Sequence, residues 1–480
     1  MANTETQPAN YTETPTQPTN YTESTTQPAN YTEPPTKTAN PLTPTEARIE
    51  AFLQTIPFLS FQQHRMLKEQ ALDLALWHLP GKEASIETLW PKEYDKSTKR
   101  AVKKTFSAFM AYMQELRKRP IDYSNFNPNN ELNISSSTIS ETPTIALNPR
   151  NLTINTNFKS PDKIMGKCPC PRDGEQTRCC NLQTLDAVQQ CAFACSYCSI
   201  QAFYAQNQVR VLSDLAQHLS TMPIPPDTWH IGTGQSSDSL LLGDDYGTLT
   251  ALKSFAHSHP EIILELKTKS SRTDWIKPDI PPNIISTWSL NAATAALMEE
   301  HLAATPSARI AAARACSQAG HLVGFHIHPM VHFIGWQTEY TNLTKTLCDN
   351  IDPKNVVMVG IGTLTFTKAN LKTLRLSGRP TRVTQMPLTP IAGKYSYDLD
   401  TKRTMFRHLY STFPSDWKSS VFFYLCMEDP SLWLPCLGRT YPTNAAFESD
   451  MRTHYFSKVN SLLSPNSTKP EALVTSPPSL

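Results

Sequence analysis

The stretch Leu182-Gln183-Thr184-Leu185-Asp186-Ala187-Val188-Gln189-Gln190-Cys191-Ala192-Phe193-Ala194-Cys195-Ser196-Tyr197-Cys198 delivers a short apolar run straight into three closely spaced thiols. The run reads as the first of six strand-like segments, at 181–188, 229–233, 262–269, 284–291, 322–330 and 356–364. Helical patterns fall between them at 211–219, 249–256, 292–302 and 308–319. Strands alternating with helices in this way predict a parallel α/β sheet or barrel. Such barrels gather their chemistry at the C-terminal ends of the strands. The motifs read below fall at those ends.

Cys191, Cys195 and Cys198 stand at i, i+4 and i+7 on one loop. Three thiolates held this way can ligate three corners of a four-iron cluster and leave the fourth iron open. A tetrahedral zinc site wants a fourth ligand that the loop does not offer, so a zinc knuckle would have to borrow one. The chain has 11 cysteines, seven of them between Cys168 and Cys198, which is too clustered for the disulfide framework of a secreted domain. The sequence is polar from Ala2 onward and shows no signal-peptide core. No apolar run reaches the length of a membrane span. The expected compartment is therefore the reducing cytoplasm, where thiols ligate metals or do chemistry, and no membrane partner is expected.

The CxxxCxxC spacing, with Tyr197 directly before the third cysteine, resembles the radical S-adenosylmethionine (SAM) superfamily. Successive segments narrow the resemblance to the spore photoproduct lyase family. They are Cys198-Ser199-Ile200-Gln201, Gly232-Thr233-Gly234-Gln235-Ser236-Ser237-Asp238-Ser239-Leu240, Leu266-Lys267-Thr268-Lys269-Ser270, Trp288-Ser289-Leu290-Asn291 and Gly324-Phe325-His326-Ile327-His328-Pro329. The similarity covers about 165–440. It implies a partial (βα)6 TIM-type radical SAM barrel. It also implies a 4Fe-4S cluster on Cys191, Cys195 and Cys198, SAM as co-substrate, and a reductant such as flavodoxin or ferredoxin. SAM would be split to methionine and a 5′-deoxyadenosyl radical that takes a hydrogen atom from substrate.

The resemblance also assigns roles to individual positions. Tyr197 would pack beside the adenine. Gly232, Thr233 and Gly234 would meet the methionine amino group, Ser237 would hydrogen-bond SAM, Lys269 would pair with its carboxylate, and Ser289 and Asn291 would hold the ribose. Taken alone, Lys269 reads as a strand-end surface lysine, Gly234 as a turn residue, and Ser237 and Asp238 as caps of the next helix. Three positions depart from the family's pattern. Gln235 stands where the repair enzyme has its hydrogen-donating cysteine, Ser199 replaces a tyrosine, and Thr389 and Pro390 precede Gly393-Lys394-Tyr395 in place of an Arg-Tyr pair. The cofactor half is kept and the substrate half altered. The expected reaction is lyase-like with a different substrate or relay, a nucleic-acid substrate being the family-level guess.

A second thiol group precedes the first: Cys168-Pro169-Cys170, then Cys179-Cys180. Four thiols in 13 residues could hold zinc or an auxiliary iron–sulfur cluster, although adjacent side chains diverge in extended backbone. His326 and His328 alternate along the fifth run and share a face. His328 and Cys426 are the candidates to act on substrate, with hydrogen-bonded barrel histidines and a buried thiol as the plain alternatives. The competing class is a non-catalytic zinc- or cluster-bearing module for nucleic acid or protein.

The remaining chain divides by composition. Residues 1–42 repeat a ten-residue Pro/Thr/Asn unit with no apolar face and are expected to be disordered. Thr43-Pro44-Thr45-Glu46 opens a helical domain at 43–119 with a capping box. A polar linker at 120–164 leads to the barrel at 165–364, followed by an extension at 365–459 that packs on it and a frayed tail at 460–480. With 44 basic and 42 acidic residues, the balance excludes a strongly basic nucleic-acid coat.

Overall fold

The computed structural model describes residues 42–128, 153–159, 163–168, 177–198, 208–235 and 237–463. Residues 1–41, 464–480 and the middle of the expected linker lie outside these residues, as do Cys170 and Ser199, while the start of the expected tail at 460–480 ends the helix Asn444–Leu463.

Eight strands form the central sheet: β1 (Met165–Lys167), β2 (Gln183–Leu185), β3 (His230–Thr233), β4 (Ile263–Thr268), β5 (Ile284–Ser289), β6 (Val323–Met330), β7 (Val356–Thr363) and β8 (Phe422–Leu425). Their order is β8-β7-β6-β5-β4-β3-β2-β1, parallel throughout except for the antiparallel β1–β2 pair. The fold is thus a mixed α/β sheet in which the six expected runs become β2 to β7. Two further strands extend it: β1 at one edge and, at the other, β8 from the segment beyond 364. Every residue of β7 is buried, as a strand covered on both faces requires.

Helices Thr248–Ser258, Ala293–Glu299, Pro306–Gln318 and Trp336–Asn350 lie between the strands. The helical pattern expected at 211–219 is corrected: strand Gln208–Leu212 occupies its start and helix Leu215–Thr221 follows. Val209 and Val211 are buried while Gln208 and Arg210 are half-exposed, the alternation of a strand rather than a helix. That strand pairs with Thr153–Phe158 and with Val188–Gln189 in a separate small sheet beside the cysteine loop.

The inner face of the large sheet is concave. Glu265 on β4 accepts from Thr287 on β5 (2.8 Å), meets His230 on β3 (3.1 Å) and reaches His326 on β6 (2.6 Å). Side chains from four strands thus meet at one carboxylate, with β5 standing between β4 and β6.

The N-terminal helices Pro44–Gln54, Phe61–Trp77, Ile86–Leu89 and Lys99–Lys118 share one hydrophobic core with this sheet. Thr43 and Glu46 form the expected capping box. The buried Asp73 accepts from Arg117 (2.6 Å) and from Arg375 (2.8 and 3.0 Å), the latter on the helix Lys368–Ser377. The Trp77 indole donates to Thr384 (2.8 Å) beside it.

Candidate functional site

The cysteine loop follows β2 through the two-residue strand Val188–Gln189. Gln190 and Ala194 adopt left-handed backbone (φ +70° and +60°), uncommon for residues with a Cβ. The turn at Ala194 sits directly before Cys195, and Cys198 N donates to Cys195 O (3.1 Å). The loop is held at its back by Ser196 N to Glu299 O (2.8 Å) and Leu302 N to Phe193 O (3.0 Å). Val188, Phe193, Val209, Val211, Leu241 and Leu242 wrap it in a small apolar cluster of its own.

This setting fits an iron–sulfur group. Burial pushes the Cys195 thiol up to about 12, and burial, Asp238 and the neighbouring thiols push Cys191 well above its ordinary value. Thiols that disfavour charge in one another become good thiolates only beside a cation. Among the described residues, no three His, Cys, Asp or Glu side chains converge on the position of a single metal ion.

Next to the loop stands a buried charge network. Glu300 accepts from Tyr197 and from Arg309 in short hydrogen bonds and lies 3.6 Å from Lys269 Nζ. Burial alone would raise its pKa, but Arg309 and Lys269 outweigh that and bring it down to about 2. Arg309 also donates to Ser289 O (2.9 Å). Lys269 lies over the Tyr197 ring, 5.8 Å from its centre. The expected partner of Lys269 was a ligand carboxylate; in this structure a protein carboxylate holds it.

Asp238 fixes the end of β4. It accepts from Thr268 Oγ1 (2.8 Å), Lys269 N (2.7 Å) and Leu240 N (3.1 Å). It does not cap the following helix, whose N-cap is Gly247. Gly234 has φ +85°, and a Cβ there would sit 2.7 Å from Lys267 O, so this turn admits only glycine. Gly232 leaves space for Gln235, whose amide, in the orientation that satisfies both contacts, donates to Gly232 O (2.9 Å) and Thr233 O (3.1 Å). Thr233 Oγ1 pairs with Ser239 Oγ, and Ser237 is buried directly before Asp238.

The predicted ribose pair separates. β5 ends at Ser289, so Asn291 does not continue its face. The Asn291 side chain donates to Pro329 O (3.1 Å) and accepts from Tyr340 (2.6 Å), which makes it a bridge between strand ends.

Deeper in the sheet His326 is bonded to Glu265, the plain alternative for that residue. Burial and Lys267 bring His326 down to about 4, while Glu265 opposes them. Burial and His326 bring His328 down to about 3. Gly362 makes room for the His328 ring, since a Cβ there would come within 3.0 Å of it.

The second thiol group differs from its expectation. Cys179 N donates to Asn444 Oδ1 (3.2 Å) and Cys179 Sγ accepts from Asn181 N (3.4 Å), while hydrogen bonding with Cys179, together with burial, holds the Cys180 thiol well above its ordinary value. Cys426, the other candidate to act on substrate, lies directly after β8, where its N donates to Ile361 O (2.7 Å), and burial pushes its thiol up to about 12. Cys170 falls outside the described residues. Reading the sequence did not single out Glu300 or Arg309. The adjacent acids Glu299-Glu300, in an otherwise alanine-rich stretch with an arginine nine residues on, were the available signal.

Residues 188–377 match the family model described as spore photoproduct lyase. The match spans about two fifths of the chain, the part that carries the cysteine loop and strands β3 to β7. Members of the family that this model describes are radical SAM enzymes. Solved structures of spore photoproduct lyase resemble it at low identity. One point mutant is 18% identical with a TM-score of 0.45, covering 60% of this chain and 87% of its own. The enzyme complexed with dinucleoside spore photoproduct is 17% identical with a TM-score of 0.45, covering 65% and 96%. A double mutant with bound AdoMet and dinucleoside spore photoproduct is 17% identical with a TM-score of 0.43, covering 65% and 96%. No curated protein matches the chain. Among the described residues, no helix is long and apolar enough to cross a membrane.

Proposed function

We propose that Cys191, Cys195 and Cys198 hold a 4Fe-4S cluster and that the chain cleaves SAM reductively on it. When bound, the cluster supplies the electron that splits SAM into methionine and a 5′-deoxyadenosyl radical. The single observation that carries the reading is the placement of three thiols on one buried loop against the Tyr197–Glu300–Lys269–Arg309 network.

The chain's own residues do the rest. Gly232 and Gly234 carry no side chain at the end of β3, and the Thr233 hydroxyl is occupied by Ser239 Oγ, so backbone there is open to the methionine amino group. Lys269 offers one cation to two anions, Glu300 and an incoming carboxylate, so ligand entry would share or replace the Glu300 contact. Glu300 and Arg309 keep the Tyr197 ring fixed for a flat base. Ser237 and Ser289 lie on the same rim, whereas Asn291 holds that rim in shape. His328, kept neutral by burial, faces the strand ends as a hydrogen-bonding group for substrate.

A nucleic-acid lesion is the substrate class we favour, because the related lyase is complexed with dinucleoside spore photoproduct. With Gln235 tied to the backbone rather than presenting a thiol, the relay after hydrogen abstraction differs. The electron would come from a small carrier such as flavodoxin or ferredoxin, in a reducing compartment.

Anaerobic reconstitution with iron and sulfide tests this. Brown protein that releases 5′-deoxyadenosine from SAM under reduction is expected. Colourless protein carrying stoichiometric zinc at the loop would overturn the reading in favour of a binding module. Colour without deoxyadenosine would leave a cluster protein that does not turn over.

A further inference from the structure

β4 carries charge where a covered parallel strand is ordinarily apolar. Leu264 and Leu266, both buried, face one side, and Glu265 and Lys267 alternate with them onto the concave side. Register sets Thr287 of β5 beside Lys267, and Gly324 of β6 beside Thr287. On β7, Gly360 and Gly362 make room for rings on the same face. A Cβ at Gly360 would come within 3.1 Å of His326 Nδ1, and one at Gly362 within 3.0 Å of the His328 ring. Polar side chains and glycines line this face, in place of the branched apolar side chains that fill a closed barrel.

Hydrogen bonds on this face are used unevenly. Glu265 is taken up by three partners, Thr287 Oγ1, His230 and His326. Lys267 Nζ stands 4.0 Å from Glu265 Oε1, beyond hydrogen-bond distance. Its ammonium carries three N–H donors, and none of them meets an acceptor among the described residues. The Lys267 side chain keeps 26% of its surface exposed, so a ligand can reach it. His328 is half-buried and also makes no hydrogen bond among the described residues. A second observation points the same way. At the N-terminal end of β3, His230 Nδ1 and the Tyr455 hydroxyl are buried without partners, their rings meeting edge to face at 5.4 Å. Buried polar atoms are rarely left unmatched unless something else satisfies them.

We propose that Lys267 anchors an oxyanion of the substrate, a phosphate or a carboxylate, within the concave face. The proposal deepens the reading above and rests on it for what the bound molecule undergoes. A half-buried ammonium gains most from a charged acceptor, and the oxygens of Glu265 are already committed. His328, on the same face, offers the oxyanion a ring N–H. Lys269, two residues on, is held by Glu300 and stands where the SAM carboxylate is expected. The two lysines would thus sort two anions, the co-substrate's at the rim and the substrate's deeper in.

The full-length chain and its Lys267→Met variant are titrated with inorganic phosphate and, separately, with acetate. Binding is read as a rise in the thermal unfolding midpoint. The wild-type chain should bind at least one of the two about tenfold or more tighter than Lys267→Met does, the worth of one charge-assisted hydrogen bond. Lys267→Arg should restore most of the binding. The anion bound tighter names the group that the substrate carries. No rise in the wild-type chain overturns the proposal, and so do equal titrations of wild type and Lys267→Met. If Lys267→Met does not fold, reductive methylation of the wild-type chain decides, with the exposed Lys345 as the internal control. The better-binding anion should slow methylation at Lys267 alone; equal rates with and without it overturn the proposal. Neither measurement needs iron or SAM. A chain that makes no deoxyadenosine would therefore defeat the proposed reaction without touching the anion site, and the loss of the anion site would leave the reaction standing.

Discussion

Cys191, Cys195 and Cys198 come from one loop of eight residues, whereas Cys168, Cys179, Cys180 and Cys426 are spread over more than half the chain. The first group is local. Two left-handed turns and a private apolar cluster set its geometry, and a charge network braces one side. The second set is scattered: Cys168 follows β1 and Cys426 follows β8, at opposite edges of the sheet, and Cys179 N is held by Asn444 Oδ1 (3.2 Å). The same side chain is thus placed once by sequence spacing and once by topology. Perturbations should tell the two apart.

The largest separation comes from Cys195→Ala. It should reduce 5′-deoxyadenosine formation from SAM to background; formation at the wild-type rate would show that the loop does not hold the cluster. Next is Glu300→Gln, which leaves Arg309 buried without its charge partner. Breaking a buried pair from one side costs about 3–5 kcal/mol, read as a lower denaturation midpoint. A cost under about 1 kcal/mol would show that the network does not brace the loop.

Acid should act on the first group in a definite window. The Glu300 pKa is about 2 in the folded chain against an ordinary 4.5. Its stabilisation is therefore complete above the ordinary value and is lost as pH falls toward 2. The size is about 3 kcal/mol at the usual 1.36 kcal/mol per unit. His326 adds an earlier loss. Its pKa is about 4 against 6.5, so the unfolded chain takes up its proton first as pH falls between those values. A stability profile from pH 7 downward should fall in both windows, and Glu300→Gln should flatten the lower one.

Gly234→Ala should cost roughly 1–3 kcal/mol through its positive φ and its approach to Lys267 O. The smallest effect is expected from Cys348→Ser. That thiol belongs to neither group, so the change should cost about 1 kcal/mol or less and leave the iron content of the reconstituted protein unchanged.

The comparison also explains what could be read from residues alone. Strand runs β2 to β7 were legible because each is a short apolar block bounded by helical periodicity. The strand at Gln208–Leu212 was not, since five residues leading into a helix can be phased with the helix. β8 was missed as a sheet member because an apolar run does not state its partner. Cys191, Cys195 and Cys198 were legible through fixed spacing on one loop. Glu300 and Arg309 were not, because an ion pair nine residues apart across a helix break has no period to betray it. The strand ends at Ser289, two residues before Asn291, so the shared face read from their spacing does not extend to Asn291.

Asp73 carries one more consequence. It is a single carboxylate shared by Arg117 of the N-terminal helices and Arg375 of the helix after β7. Cutting the chain near residue 120 would remove that carboxylate and strand Arg375 in an apolar setting without a counter-charge. The family match begins at 188, yet a fragment trimmed to it would inherit that defect. Modularity in sequence is therefore not modularity in folding here. The amino-terminal helices are a cost of solubility for any shortened version, to be met by keeping them or by replacing Arg375 with an apolar residue.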